Sequence, residues 1–179
     1  METSPHVTGV IVADDDAMIR SVLRATFEAL GLNVFLASDG LEAVQLASRI
    51  HAALIILDLK MPRLNGLLAC RQIHQLPGNA NTPIVILSFM QGPEAEAAAA
   101  RVGATAYFLK PFRPALLMQA LSRFLPINDA ERDQIRHNAG LTNGIARSVS
   151  TPVAARTSSK FESDDLLDRG KVILGVLRG

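Results

Sequence analysis

Five apolar runs of strand length alternate along this chain with stretches of helical period, and that alternation limits the fold more than any other feature. Residues 7–13 (VTGVIVA), 34–37, 53–57 (ALIIL), 83–87 (PIVIL) and 106–109 (AYFL) are predicted strands. They are continuous rather than alternating in polarity, as expected of strands buried on both faces. Between them Ile19, Val22, Leu23, Thr26, Phe27 and Leu30 recur at helical spacing before a stop at Gly31. Ser38-Asp39 offers a cap, with Glu42 nearby, for a second helix. Residues 67–76 and 93–102 predict two more, and Leu117, Ala120, Leu121 and Phe124 mark a last amphipathic helix stopped by Pro126.

Strands alternating with helices predict an α/β fold: a parallel sheet covered on both faces and joined by right-handed crossovers. A doubly wound, flavodoxin-like five-stranded sheet of order 2-1-3-4-5 is the natural arrangement. Its reversal point lies between the first and third strands, and ligands bind beyond the carboxyl ends of strands at such a point. Asp14-Asp15-Asp16 follow the first run, Asp58 the third, Ser88 the fourth and Lys110-Pro111 the fifth. One sheet edge should therefore gather acids, a hydroxyl and a lysine.

That set suits phosphoryl chemistry with a divalent cation. Mg²⁺ takes oxygen ligands, retains waters, and is held by one or two carboxylates plus phosphate. A carboxylate kept ionised by the cation and by Lys110 can attack phosphorus and form an aspartyl-phosphate. Phosphoryl transfer asks the protein mainly for positioning and for neutralisation of the equatorial oxygens, a task for Lys110 and Ser88.

The residues DDD at 14–16, DLKMP at 58–62, Ser88 and YFLKPF at 107–112 together resemble the receiver domain of bacterial two-component response regulators, over about residues 7–125. The resemblance implies that Asp58 accepts phosphate from a histidine kinase or phosphotransfer protein. It implies that Asp14, Asp15, Asp58 and the Lys60 backbone carbonyl serve Mg²⁺, and that Lys110 and Ser88 contact the phosphoryl oxygens. The Lys110-Pro111 bond is then expected to be cis. Ser88 and Tyr107 are the expected switch: the hydroxyl moves toward the phosphoryl group and the aromatic residue turns inward behind it. The output surface would span residues 93–125, acting on a downstream protein or on a second copy of the chain. Lys60 and Met90 flank the site where receivers vary, so they are read as tuning rates. Phe89 departs from the pattern, because the residue after the hydroxyl is commonly small. Its ring either narrows the pocket or turns onto a neighbouring helix.

The rest of the chain mainly excludes. A net charge of +1 gives no reason to expect nucleic acid or an anionic membrane. No apolar run approaches the roughly 20 residues that span a bilayer. The start METSPHVTG lacks the pattern of a signal peptide, and the single cysteine, Cys70, fits a reducing compartment. A cytoplasmic protein is expected. Residues 1–126 are read as the domain, 127–162 as a flexible linker or tail, and 163–179 as a short C-terminal helix.

Two rivals have different chemistry. A haloacid-dehalogenase-like phosphatase would use Asp14 and Asp16 as nucleophile and acid, but it leaves Asp58 unexplained and lacks a late acidic metal motif. A receiver-fold interaction module independent of phosphorylation has only Phe89 in its favour.

Overall fold

The computed structural model describes residues 8–140. Five parallel strands, β1 (Thr8–Ala13), β2 (Asn33–Ala37), β3 (His51–Asp58), β4 (Ile84–Ser88) and β5 (Ala106–Leu109), form one sheet of order β2-β1-β3-β4-β5. Helices α1 (Ala17–Glu28), α2 (Gly40–Ala47), α3 (Gly66–His74), α4 (Pro93–Arg101) and α5 (Pro114–Leu121) make the connections. The doubly wound α/β arrangement is thus the expected one. Boundaries differ by a few residues: β3 starts earlier and takes in Asp58, and α5 tightens into a single 3-10 turn at Ser122–Phe124.

Successive strand residues point to opposite faces, which splits the core in two. Ile11, Ile55, Leu57, Ile84, Ile86 and Tyr107 pack under α2, α3 and α4 with Ala43, Ala69, Ile73 and Ala99. Val10, Val12, Leu54, Ile56, Val85, Leu87 and Phe108 pack under α1 and α5 with Leu23, Phe27, Leu117, Met118 and Leu121. Most of these side chains are fully buried, and each large one contributes about 1.5–3 kcal/mol of transfer free energy. Having both faces covered is why β1, β3 and β4 read as unbroken apolar runs.

Helix entries follow their caps. Asp16 accepts from the Met18 amide at the start of α1, Asp39 from the Glu42 amide at α2, and Asn65 from the Leu68 amide at α3. Gly31, at φ 72°, supplies the left-handed residue that ends the first helical segment.

One expectation is corrected. Part of the segment read as a flexible tail is a sixth helix, α6 (Asp129–Gly140), on the far side of Pro126. Its Ile135 and Ala139 join Leu125 and Ile127 in the core cluster beside α5. Arg132 donates to the carbonyl oxygens of Ser122 and Leu125, satisfying groups left open where α5 ends. Burial of a thin apolar edge and this carbonyl capping hold α6 against the domain. The expected linker beyond residue 140 and the helix at 163–179 lie outside the described residues. Among the described residues no helix is long and apolar enough to cross a membrane.

Candidate functional site

Strand register lines up the polar residues. Ala13 pairs with Leu57, Asp58 with Leu87, and Ser88 with Leu109, so residues 14, 58, 88 and 110 fall side by side at the carboxyl edge. Backbone bonds fix the ends of the row: the Asp14 amide donates to Ala37, the Leu59 amide to Leu87, and the Lys110 amide to Ser88. The Lys110-Pro111 bond is cis, as expected. Gly66 packs directly on the backbone at Asp58. A Cβ there would lie 2.2 Å from the Asp58 carbonyl oxygen, so only glycine lets α3 start this close to the acid.

The Lys110 ammonium sits between two acids, 2.6 Å from Asp14 Oδ2 and 2.5 Å from Asp58 Oδ1. All three residues are buried, and charge-assisted bonds of this length are the strong kind. The other Asp14 oxygen accepts from the Asp16 amide. Burial pushes the Asp58 carboxyl above its ordinary range. Lys110 pulls in the opposite direction and Asp14 adds repulsion, with a net upward shift. Burial alone would lower Lys110, but its bonds to Asp14 and Asp58 outweigh this and raise it.

Ser88 is buried, and its Oγ accepts from the Met90 amide at 3.0 Å. Tyr107 is also buried and points inward, its hydroxyl donating to the Met90 carbonyl at 2.7 Å. Burial raises the Tyr107 phenol above its ordinary value. Met90 is therefore gripped through its amide by Ser88 and through its carbonyl by Tyr107. Cys70, far from the cleft on α3, is buried and its thiol is pushed up to about 12, which leaves it unreactive.

Asp14, Asp58, Ser88, Met90 and Lys110 line an open cleft of about 610 Å³, with Asp15, Lys60, Ile19 and Phe89 at its walls and mouth. Asp15 and Lys60 are exposed, so they stand at the rim and not in the buried Asp14–Lys110–Asp58 cluster. The Phe89 ring is 70% exposed, and its centroid is 5.5 Å from Lys110 Nζ. It stands at the mouth and does not turn onto a helix.

Sequence reasoning missed two supports. Arg20 on α1 donates to the carbonyls of Asp14 and Asp15, six and five residues earlier, and pins the acidic loop; no periodic pattern marks that contact. Arg63, a non-glycine residue at φ 61°, pairs with the buried Asp39 and ties the loop after Asp58 to the start of α2. Nothing in the local pattern announces a pair 24 residues apart.

The donor chemistry fits a hard divalent cation. Two carboxylates share one ammonium, leaving net negative charge in a cleft open to water. Among the described residues no three His, Cys, Asp or Glu side chains form a ready cage. A cation here would take few side-chain oxygens together with water and backbone oxygen, a set that Mg²⁺ accepts.

The family model for the response regulator receiver domain matches residues 10–122. The chain belongs to this family. The receiver is 30% identical over 135 residues to the probable transcriptional regulator ycf27 of Porphyridium aerugineum, a match covering 75% of this chain and 55% of that protein. Its fold is similar to that of the chemotaxis protein CheY4 of Vibrio cholerae, with TM-score 0.63 and 32% identity over 66% of this chain and 99% of the other. The receiver domain of sensor histidine kinase PA1611 from Pseudomonas aeruginosa PAO1, solved with a magnesium ion coordinated in its active site cleft, gives TM-score 0.60 and 28% identity. That match covers 65% of this chain and 95% of the other. The chain spans about half the length of the curated relatives it matches. Receivers are the regulatory domains of two-component phosphorelay signalling, and the chain carries one.

Proposed function

We propose that Asp58 is the phosphoryl acceptor of this receiver and that a histidine kinase or phosphotransfer protein is the donor. The observation that supports it most is the single buried ammonium of Lys110 bonded to both Asp14 and Asp58 in the wall of an open cleft. An Asp58 oxygen attacks phosphorus, the bond from phosphorus to the donor's nitrogen breaks, and the electron pair leaves with the imidazole, which takes up a proton. Lys110 exchanges its Asp58 oxygen for a phosphoryl oxygen, staying within the same short reach. Asp14, Asp15, Asp58 and the Lys60 carbonyl would hold Mg²⁺, which when bound would supply charge neutralisation for the equatorial oxygens.

The new phosphoryl group adds negative charge and acceptor oxygens. Ser88 turns toward it and gives up the Met90 amide, while Tyr107 keeps hold of the Met90 carbonyl. The disturbance passes to the loop before α4, a helix rich in alanine and without a side-chain cap, and so to the surface formed by α4, β5 and α5. A downstream protein or a second copy of the chain reads that surface. The domain then serves as a switch, and its only chemistry is the gain and loss of its own phosphoryl group.

Incubating the full chain with acetyl phosphate and MgCl₂ and weighing the intact protein tests this. Wild type should gain one phosphoryl group and Asp58→Asn none. Equal labelling of both chains would remove Asp58 from the role.

A further inference from the structure

The turn that opens α2 touches both loops that supply the cleft's oxygen donors. On one side the Asp14 amide donates to the Ala37 carbonyl, which ties the turn to the acidic loop. On the other the Gly40 amide donates to the Leu64 carbonyl, in the loop that runs from Asp58 past Lys60 to α3. That approach is close: a Cβ on Gly40 would lie 2.2 Å from the Leu64 oxygen. Asp39 stands between Ala37 and Gly40 in this turn. One of its carboxylate oxygens caps α2 at the Glu42 amide, and the other accepts from the Arg63 guanidinium. Within the loop the Lys60 amide donates to the Asp58 carboxylate, so a shift of the loop would be felt at the acid itself.

Arg63 is an unusual occupant of that loop. Among the described residues it is the one non-glycine with positive φ, at 61°, and the Leu64 amide closes back around it onto the Pro62 carbonyl. Glycine adopts such a backbone freely, whereas a residue with a Cβ holds it at a cost. The side chain supplies the compensation: it reaches a carboxylate that is only 3% exposed. An ion pair between two exposed groups would count for little. Removing the guanidinium here would leave a buried charge without its counter-ion, which is far more disruptive.

We propose that Arg63 is a positioning residue for the cation: through Asp39 it clasps the loop presenting the Lys60 carbonyl to the turn that also holds the acidic loop, and so fixes the spacing of the donors on the two sides. This rests on Asp14, Asp15, Asp58 and the Lys60 carbonyl being the donors for Mg²⁺. Arg63 does not line the cleft, so it acts through the backbone it holds. Outer partners of this kind govern metal affinity because they hold the ligands in place before the ion arrives.

The test titrates MgCl₂ into the full chain without a phosphodonor and reads the Kd from amide chemical shifts, which report folded molecules alone. Arg63→Gly, which frees the backbone but removes the clasp, should weaken Mg²⁺ binding roughly tenfold. Asp39→Asn, which keeps a side chain able to cap α2, should weaken it to a similar extent. The double variant should bind no more weakly than either single one, because both remove the same contact. Arg63→Lys, which keeps the charge, should fall between wild type and Arg63→Gly. A merely structural role would move the urea midpoint and leave the Kd unchanged. Equal Kd values for wild type, Arg63→Gly and Asp39→Asn therefore overturn the clasp and leave the cation site standing. A double variant weakened by the product of the two single effects also overturns it, since the residues would then act separately. Absence of any shift in wild type overturns both the clasp and the assigned cation donors. Acetyl phosphate added at saturating MgCl₂ tests the acceptor separately: an unlabelled wild type whose Mg²⁺ binding is weakened by the substitutions supports the clasp and removes Asp58 from its role.

Discussion

In the cleft one ammonium answers two carboxylates, and the balance of charge there governs both stability and reactivity. Asp58 has its folded pKa raised above the ordinary 3.8, chiefly by burial. A raised carboxyl contributes stability below its unfolded value and loses that contribution as pH rises through the folded value; at neutral pH the ionised group is a cost to the fold. Asp58→Asn removes that cost. With chelator present and no phosphodonor, the variant's stability relative to wild type should therefore increase from acid to neutral pH, as read by chemical denaturation at each pH. A difference that shrinks over the same range would contradict the assignment. Lys110, raised above 10.5 by its two acids, contributes stability that is full below that value and is lost as pH rises through the folded value. On the alkaline side the cluster should thus loosen only in strong alkali, while in acid protonation of the carboxylates breaks it. Buried ion pairs seldom add net stability, which agrees with the chemical role proposed for this cluster.

Among the elements, α6 shows how physical forces can build a helix that a sequence pattern hides. Its buried residues are Ile135 and Ala139, one turn apart, and its remaining positions are mostly polar, so the apolar stripe is too narrow to register as amphipathic. What starts it is visible in retrospect. Asn128 accepts from the Glu131 amide at 2.9 Å, and Glu131 reaches back to the Asn128 amide at 2.7 Å, a reciprocal cap spelled out by the spacing of the two residues. Docking of α6 depends on Ile135. Replacing it with alanine should cost about 2 kcal/mol, the low end for such a truncation because an edge site can partly collapse. Arg136→Ala, on the exposed side, should stay within roughly 0.5 kcal/mol. Urea unfolding of the two variants beside wild type measures this, and equal midpoints for both would show that α6 does not contribute to the core. Because α6 packs on α5, any second copy bound through residues 93–125 must meet a surface of which α6 is a neighbour.

For the whole molecule, the sheet order and the site were legible for one reason. Strands buried on both faces leave unbroken apolar runs, and right-handed crossovers then permit few ways to arrange them. Once the order is known, Asp14, Asp58, Ser88 and Lys110 fall at one edge because each closes a strand. Contacts between distant segments were not legible: the Arg63–Asp39 pair, the grip of Arg20 on the acidic loop, and the outward ring of Phe89 each depend on loop geometry that no periodicity encodes. The inward Tyr107 belongs between these cases, since its position was readable and its bond to Met90 was not. The central claim, that the carboxylate of residue 58 carries the transferable phosphoryl, is best tested by locating the modification. After incubation with acetyl phosphate and MgCl₂, reductive cleavage of the acyl phosphate and peptide mapping should place the mark on Asp58 alone. A mark on Asp14, Asp15 or Asp16 instead would contradict the account and favour chemistry at the end of the first strand.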